Sequence, residues 1–257
     1  MNITLLTNRD LPSHVALSRL VGALSHHNLS IFISEKVGAD QQLPQPLMDL
    51  AAFEKKVLAD GRPSFDDLAA SAGCTLQGFS DIGNRVNGPE GIARLQATEP
   101  DLVISLRFGL IIRDEVIATP RYGVINLHSG LLPDYRGVMA TFRAMLEGES
   151  EIGSTLHFIQ DAGVDTGDII SLLPIPVATD KSYLFNVLSL YAGGCDQILD
   201  AVAVIEAGQT LKTQSQQGPA NYFSFPTEAE LEGFFALGHR LFDVAEFASE
   251  NTADNQY

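Results

Sequence analysis

Apolar and polar positions alternate in blocks along the first half of the chain. A short apolar run at residues 2–7 ends at a polar turn, and residues 11–26 then place apolar side chains at i, i+3, i+4 and i+7. The same alternation predicts further strands at residues 29–34, 75–79 and 102–106, and further helices at residues 44–59, 63–72 and 89–99. Strands that alternate with helices indicate parallel βαβ units and a sheet that helices cover on both faces.

The second half continues this pattern until its character changes near residue 208. Strands are predicted at residues 124–127, 154–159 and 169–176, and helices at residues 139–146 and 182–207. Residues 210–225 have little periodicity and indicate an extended connector, whereas residues 227–250 predict a last helix that is acidic and solvated. We therefore predict an α/β fold, with a Rossmann-like, doubly wound, mostly parallel sheet and a short helical C-terminal extension.

Charge and short motifs narrow the function classes. The chain has 257 residues, with 32 Asp+Glu against 16 Lys+Arg and a net charge of −16. Nucleic acids and anionic membranes are therefore not expected partners, because gripping either needs a Lys/Arg surplus. The segment after the first strand, TNRDLPSH, lacks the glycines that bind dinucleotide phosphates. The absence of metal motifs and of a basic leader favours a metal-free, cytoplasmic protein.

Two polar side chains lie close together at one predicted strand end. The strand at residues 124–127 carries Asn126 and leads directly into His128. Residues two apart on a strand share a face, and the carboxyl ends of α/β strands form the usual ligand crevice. Asn126 offers an amide N–H donor, and His128 can take or give a proton near neutral pH. The pair is therefore a candidate catalytic unit.

A second polar stretch follows about thirty residues later. His157 lies on the predicted strand at residues 154–159, and the loop after it carries Asp161, Asp165 and Asp168. Two glycines among these carboxylates indicate a tight turn. A carboxylate from this turn can fold back on the pair at the earlier strand end.

The two stretches together resemble a known family. NLHSGLLPDYRG, followed by HFIQDAGVDTGDII, is similar to the folate-dependent formyltransferases, which include the glycinamide ribonucleotide, methionyl-tRNA and amino-sugar enzymes and formyltetrahydrofolate hydrolase. The similarity runs from about residue 101 to residue 176. It implies a catalytic domain at residues 1–180, with residues 181–257 as C-terminal helices and an acidic extension packed on it. It also implies 10-formyltetrahydrofolate as co-substrate and no metal.

The resemblance implies a catalytic trio of Asn126, His128 and Asp165. When an amine attacks the formyl carbon, Asn126 and protonated His128 can donate hydrogen bonds to the oxyanion that forms. Asp165 can accept the amine proton and hold His128 in orientation. These roles need neither a metal nor a covalent intermediate.

The resemblance also implies a pterin pocket with backbone readout and apolar walls. By position its folate-binding residues are Leu110, Ile111, Ile112, Ile117, Gln160, Asp161, Ala162 and Val164. Without folate the apolar stretch at residues 110–112 would be plain core. Asp161 and Asp168 are expected to form the turn rather than to act as catalysts.

Several other polar residues have two interpretations. Arg136 either contacts the substrate or caps the following turn, and His157 either contacts the substrate or packs beneath the site. The basic residues expected to balance an anionic substrate are Arg107, Arg113, Arg136 and Arg143. The remaining histidines, at positions 14, 26, 27 and 239, are predicted on the surface.

The acceptor is the least determined part of the prediction. TNRDLPSH departs from the glycine-rich phosphate loop of the glycinamide ribonucleotide enzymes, and the acidic residues after Gly208 depart from the basic C-terminal barrel of the methionyl-tRNA enzymes. A small-molecule amine is therefore expected, with a nucleotide-linked amino sugar first and an amino-acid-derived amine second. Methionyl-tRNA as acceptor, a 10-formyltetrahydrofolate hydrolase and a non-enzymatic folate-binding relic are the alternatives, and a homodimer stays open.

Overall fold

The computed structural model describes residues 1–35 and 43–247. Its strands are β1 (Asn2–Asn8), β2 (Asn28–Ser34), β3 (Gln77–Gly78), β4 (Leu102–Leu106), β5 (Val124–His128), β6 (Arg136–Gly137), β7 (Glu151–Ile159), β8 (Ile169–Pro176) and β9 (Tyr222–Phe223). Its α-helices are α1 (Leu11–Ala23), α2 (Gln45–Ala59), α3 (Phe65–Ser71), α4 (Pro89–Gln96), α5 (Asp114–Ile117), α6 (Ala140–Glu147), α7 (Tyr183–Glu206) and α8 (Glu228–Ala236). Two 3₁₀ turns, at Ser80–Ile82 and Val244–Glu246, complete the described elements.

Seven strands form one sheet in the order β3-β2-β1-β4-β5-β7-β8. The first five of these strands are parallel, whereas β7 pairs antiparallel with both β5 and β8. The predicted α/β fold with a mostly parallel, Rossmann-like sheet is therefore confirmed. Because β1, β4 and β5 are adjacent and parallel, their carboxyl ends lie side by side at one edge of the sheet.

Helices cover both faces of this sheet, because the strands are apolar on both sides. Leu5 packs into a core that includes residues of α1 and α7, whereas its neighbour Leu6 packs into a second core with Leu95 of α4 and Val116 of α5. Consecutive strand residues point to opposite faces, so an uninterrupted apolar strand fills both cores.

Helix α7 is the long central helix of the first core. Its residues Gly193 and Gly194 allow a close approach to the sheet, since a Cβ at Gly193 would lie 2.2 Å from a Leu173 methyl group and one at Gly194 would lie 2.9 Å from a Leu127 methyl group. Within the described residues α7 is the one helix whose length and composition would suffice to cross a membrane. Half of its most apolar window is buried inside the protein, as expected for a core helix.

Three local predictions were wrong. The last helix ends at Ala236 rather than near residue 250, because the chain turns at Gly238 with φ 85°; residues 248–250 of that prediction lie outside the described residues. His14 and His27 are buried rather than on the surface, because His14 Nε2 bonds the Pro63 carbonyl and His27 packs beside the N-terminus.

Candidate active site

A cavity of about 680 Å³ opens at the carboxyl edge of the sheet. Residues that follow β1, β4, β5 and β7 line it, together with one side of α2. Asn126, His128, His157 and Asp165 all border this cavity. The structure therefore brings these four residues together at one cavity, and their roles stay a prediction.

His128 is held by contacts at both ring nitrogens. Its Nε2 donates to the Tyr135 carbonyl at 2.6 Å, and its Nδ1 lies 3.5 Å from Asp165 Oδ2. The ring is buried, with 7% of the residue exposed. Since the carbonyl accepts the Nε2 proton, Nδ1 is the ring nitrogen that faces the Asp165 carboxylate.

Asn126 and His157 lie opposite each other on β5 and β7. His157 Nδ1 is 2.8 Å from the Phe158 carbonyl and donates to it, which leaves Nε2 of the neutral ring as an acceptor. Asn126 Nδ2 lies 3.0 Å from that Nε2 and donates to it. An amide has two N–H groups, so this contact fixes Asn126 and leaves its second donor for a bound substrate. His157 thus orients Asn126.

Asp165 lies between the two histidines. Its Oδ2 faces His128, its Oδ1 is 3.4 Å from His157 Nε2, and Oδ2 also accepts the Gly137 N–H at 2.8 Å. Burial raises the pKa of this carboxyl, but the electrostatic effect of His128, the proximity of His157 and the hydrogen bond from the Gly137 N–H outweigh burial and lower the pKa to about 2. Asp165 is therefore ionised at any physiological pH. Its backbone is left-handed, with φ 54°, which turns the side chain back over the strand ends.

The loop of Asp165 is fastened by Gln216, which sequence reasoning missed. Gln216 Nε2 donates at 2.8 Å to the carbonyls of Asp165 and Gly167, and its Oε1 accepts from the Arg136 guanidinium at 2.6 and 3.1 Å. The predicted connector thus closes over the site. A polar stretch without periodicity but rich in glutamine was the available signal.

The same connector forms a short parallel pair, β6 with β9, beside Asp165. Gly137 of β6 adopts φ 96°, and a Cβ there would lie 2.1 Å from the Phe223 carbonyl oxygen. Only glycine fits this approach, and the same glycine supplies the N–H that Asp165 accepts. The pairing therefore fixes a backbone donor of the site.

Replacing Gln216 with alanine is expected to lower kcat about tenfold, because the Asp165 loop loses its fastening and each lost hydrogen bond costs about 1 kcal/mol. The check is steady-state kinetics with Gln217→Ala as the matched control, since Gln217 is exposed and bonds only its own segment. Equal turnover of Gln216→Ala and Gln217→Ala would contradict a positioning role for Gln216.

The predicted folate-binding residues divide into two groups. Leu110, Ile111, Ile112, Asp161 and Val164 border the cavity. Ile117, Gln160 and Ala162 do not border it, and folate binding by these three stays a prediction. Ile117 packs against the second core, Gln160 bonds Asp168 across its own loop, and Ala162 lies exposed on that loop.

The four predicted arginines are mostly engaged elsewhere. Arg107 borders the cavity but is paired with Asp10 at 2.6 Å. Arg143 pairs with Glu230 and Arg136 bonds Gln216, while Arg113 does not border the cavity. Arg136 does not border the cavity, and the substrate contact expected of it stays a prediction. Its contact holds the connector instead.

The fold and the site together define an α/β protein with a histidine–carboxylate pair and an oriented amide beside an apolar wall. The sequence model of the formyl transferase family matches residues 68–184, which include Asn126, His128 and Asp165. The matched segment, a little under half of the chain, is therefore similar to the formyl transferase family.

Individual proteins of known sequence or structure show the same similarity. Methionyl-tRNA formyltransferase of Chlamydia pneumoniae is 36% identical over 126 residues, which are 49% of this chain and 39% of that protein. The chain therefore spans less than half of that relative's length. Two solved structures share the fold: glycinamide ribonucleotide transformylase 1 of Symbiobacterium toebii (TM-score 0.57, 18% identity, 84% of this chain and 93% of that chain) and an N-formyltransferase of Helicobacter canadensis in complex with folinic acid and dTDP-3-aminofucose (TM-score 0.58, 19% identity, 88% and 71%).

Proposed function

We propose that the protein transfers a formyl group from 10-formyltetrahydrofolate to the amino group of a small-molecule acceptor, as a cytoplasmic enzyme. The observation that carries this proposal is the grouping of Asn126, His128 and Asp165 at one cavity, with Leu110, Ile111 and Val164 on its apolar wall. The apolar wall fits a flat pterin ring, and the polar trio fits chemistry at the formyl group.

In the proposed reaction the amine nitrogen attacks the formyl carbon, and the bond from that carbon to N10 of the folate breaks. The second N–H of Asn126 donates to the oxyanion, and charged His128 adds electrostatic stabilisation. The amine proton passes to the His128–Asp165 pair, which returns one proton to N10. The products are the formamide and tetrahydrofolate, so atoms and charges balance.

We further propose that residues 1–180 form the catalytic domain and that residues 181–257 are a C-terminal extension packed on it. The contacts of Gln216 with the Asp165 loop support a role for this extension in the site. Helix α7, at the start of the extension, lies against β5 through Gly194. The extension would thus support both sides of the catalytic pair.

The test is a turnover assay with 10-formyltetrahydrofolate and a panel of amines, in which tetrahydrofolate and the formylated amine are both quantified. The panel contains a dTDP-linked amino sugar, because one related fold binds dTDP-3-aminofucose, together with diamines, amino acids and methionyl-tRNA. We expect equal amounts of the two products. Formate released at full rate without any amine would favour a hydrolase, and folate binding without turnover would favour a relic.

A further inference from the structure

The cavity has a second lobe beyond the catalytic trio. Sheet order places β5 and its Asn126 and His128 between the loop after β7 and the ends of β4 and β1. We define the polar lobe as Asp10, Glu54, Arg107 and Tyr183, all of which border the cavity. Asp10 and Glu54 lie outside the segment that matches the formyl transferase family. Arg107 and Tyr183 lie inside that segment, so the polar lobe combines shared positions with positions outside it, next to the catalytic trio.

The charged side chains of this lobe form an ion pair, except for Glu54. Arg107 Nε and its terminal nitrogen contact Asp10 Oδ2 at 2.6 Å, so these two charges cancel. Arg9 lies 3.6 Å from Glu35, another pair at the cavity rim. Among the described residues Glu54 has no cation of its own within ion-pair distance. Its one hydrogen bond comes from the Leu11 amide to Oε2 at 3.1 Å.

Glu54 is also buried. It lies on the cavity side of α2 with 8% of the residue exposed, while one oxygen is left without a hydrogen-bond donor from the described residues. Burial raises its pKa to about 8, Asp10 adds to this, and Arg107 opposes it. A buried carboxyl that lacks its own counter-ion destabilises a fold. Glutamine would satisfy the Leu11 amide equally, so structure alone does not account for the charge.

We propose that Glu54 binds a second positively charged group of the acceptor, which makes the acceptor an amine with two cationic nitrogens. This inference rests on the proposed function for the formyl transfer itself. A carboxylate that faces a cavity gains from a cation and repels a phosphate. Since Arg107 and Arg9 are already paired, the described lobe offers a diphosphate no free cation. The acceptor expected first from the sequence, a nucleotide-linked amino sugar, is therefore disfavoured.

Proton exchange gives the proposal a signature. The groups around Glu54 are Asp10 before α1, Arg107 after β4 and Tyr183 of α7, and Tyr191 lies beside Arg107. Below pH 8 the free carboxyl is largely protonated, and a bound cation favours its ionised form. Binding therefore releases a proton, and affinity for a cation rises with pH by up to about tenfold per pH unit until pH 8.

The test is calorimetric titration of the full-length protein with 1,4-diaminobutane and, separately, with dTDP. We expect the diamine to bind with release of about one proton and with a Kd about tenfold lower at pH 8 than at pH 6.5. Glu54→Gln should weaken diamine binding about tenfold at pH 8 and remove the pH dependence. Asp49→Asn, an exposed carboxylate on the same helix, is the control and should behave as wild type.

Thermal unfolding separates binding from folding. Because the raised pKa makes ionised Glu54 costly, stability should fall as pH rises from about 5 to 8 in the wild type and fall less in Glu54→Gln. A Gln variant that melts earlier at pH 9 would show that the carboxylate is structural and would overturn the proposal. So would dTDP binding without diamine binding, or diamine binding that Glu54→Gln leaves unchanged. Diamine binding without formyl transfer to any amine would instead contradict the proposed function.

Discussion

Replacing His128 with alanine is expected to lower kcat/KM for formyl transfer by about a thousandfold. The imidazole is the group of the site that can carry a proton between the attacking amine and the folate nitrogen. Its removal also takes away the positive charge that would stabilise the oxyanion. Steady-state assays of 10-formyltetrahydrofolate consumption with a saturating amine measure the effect.

The loss should be confined to chemistry. His128 contacts Tyr135 and Asp165 at the cavity rather than the apolar wall, so folate binding measured by fluorescence titration should change little. His26→Ala is the matched control, because His26 is exposed and precedes β2. The residues of this strand that border the cavity lie at its other end. Turnover of His128→Ala within threefold of the control would show that His128 has no part in proton transfer.

Much of the site follows from local rules. Asn126 and His128 lie two residues apart on β5, so their side chains share one face of the strand. The order of the strands brings that strand end to the crevice. Asp165 is different, because its position depends on a left-handed residue in a loop, which periodicity does not describe. The family resemblance supplied that residue, and the structure shows what holds it: the amide of Gly137 and the side chain of Gln216.

The residues that sequence reasoning missed act over long separations. Gln216 reaches Asp165 across 51 positions, and Glu54 reaches Leu11 across 43. Glu54 stands in the stretch FEKKV, where its charge and its lysine neighbours indicate a solvated helix face. Tertiary packing turns that position inward over the cavity. Burial of a single polar residue depends on which element covers it, and one sequence does not contain that information.

The net charge of −16 gains a local meaning from the structure. It disfavoured anionic macromolecules as a property of the whole chain, but it did not show where the charges lie. Asp10 and Glu35 form ion pairs with the arginines at the cavity. Glu54 and Asp165 add two carboxyl groups whose pKa values are shifted in opposite directions. The pKa of Glu54 is raised because burial dominates, and the pKa of Asp165 is lowered because histidines face it. One cavity thus holds a carboxyl that can exchange a proton near neutral pH and another that stays ionised.

Asp165→Asn separates the electrostatic role of this residue from its role in packing. Asparagine has nearly the same shape and retains an oxygen that can accept the Gly137 N–H, so the loop should keep its position. What is lost is the charge that faces His128 and His157. We expect kcat to fall by a hundredfold or more, because the histidine loses the anion that stabilises its charged form. Asp168→Asn, three residues further along the same loop, is the control and should retain turnover close to wild type.

The stability of Asp165→Asn should depend on pH in a direction that its lowered pKa fixes. A carboxyl with a pKa of 3.8 in the unfolded chain and about 2 in the folded one stabilises the fold above pH 4, and this stabilisation is lost as pH falls toward 2. The free energy of unfolding of the variant should therefore be about 2 kcal/mol lower than that of wild type at pH 7, and the difference should vanish near pH 2. Urea unfolding at a series of pH values measures it. A difference that persists unchanged at pH 2 would mean that the asparagine disturbs packing, and the loss of turnover could then not be attributed to charge.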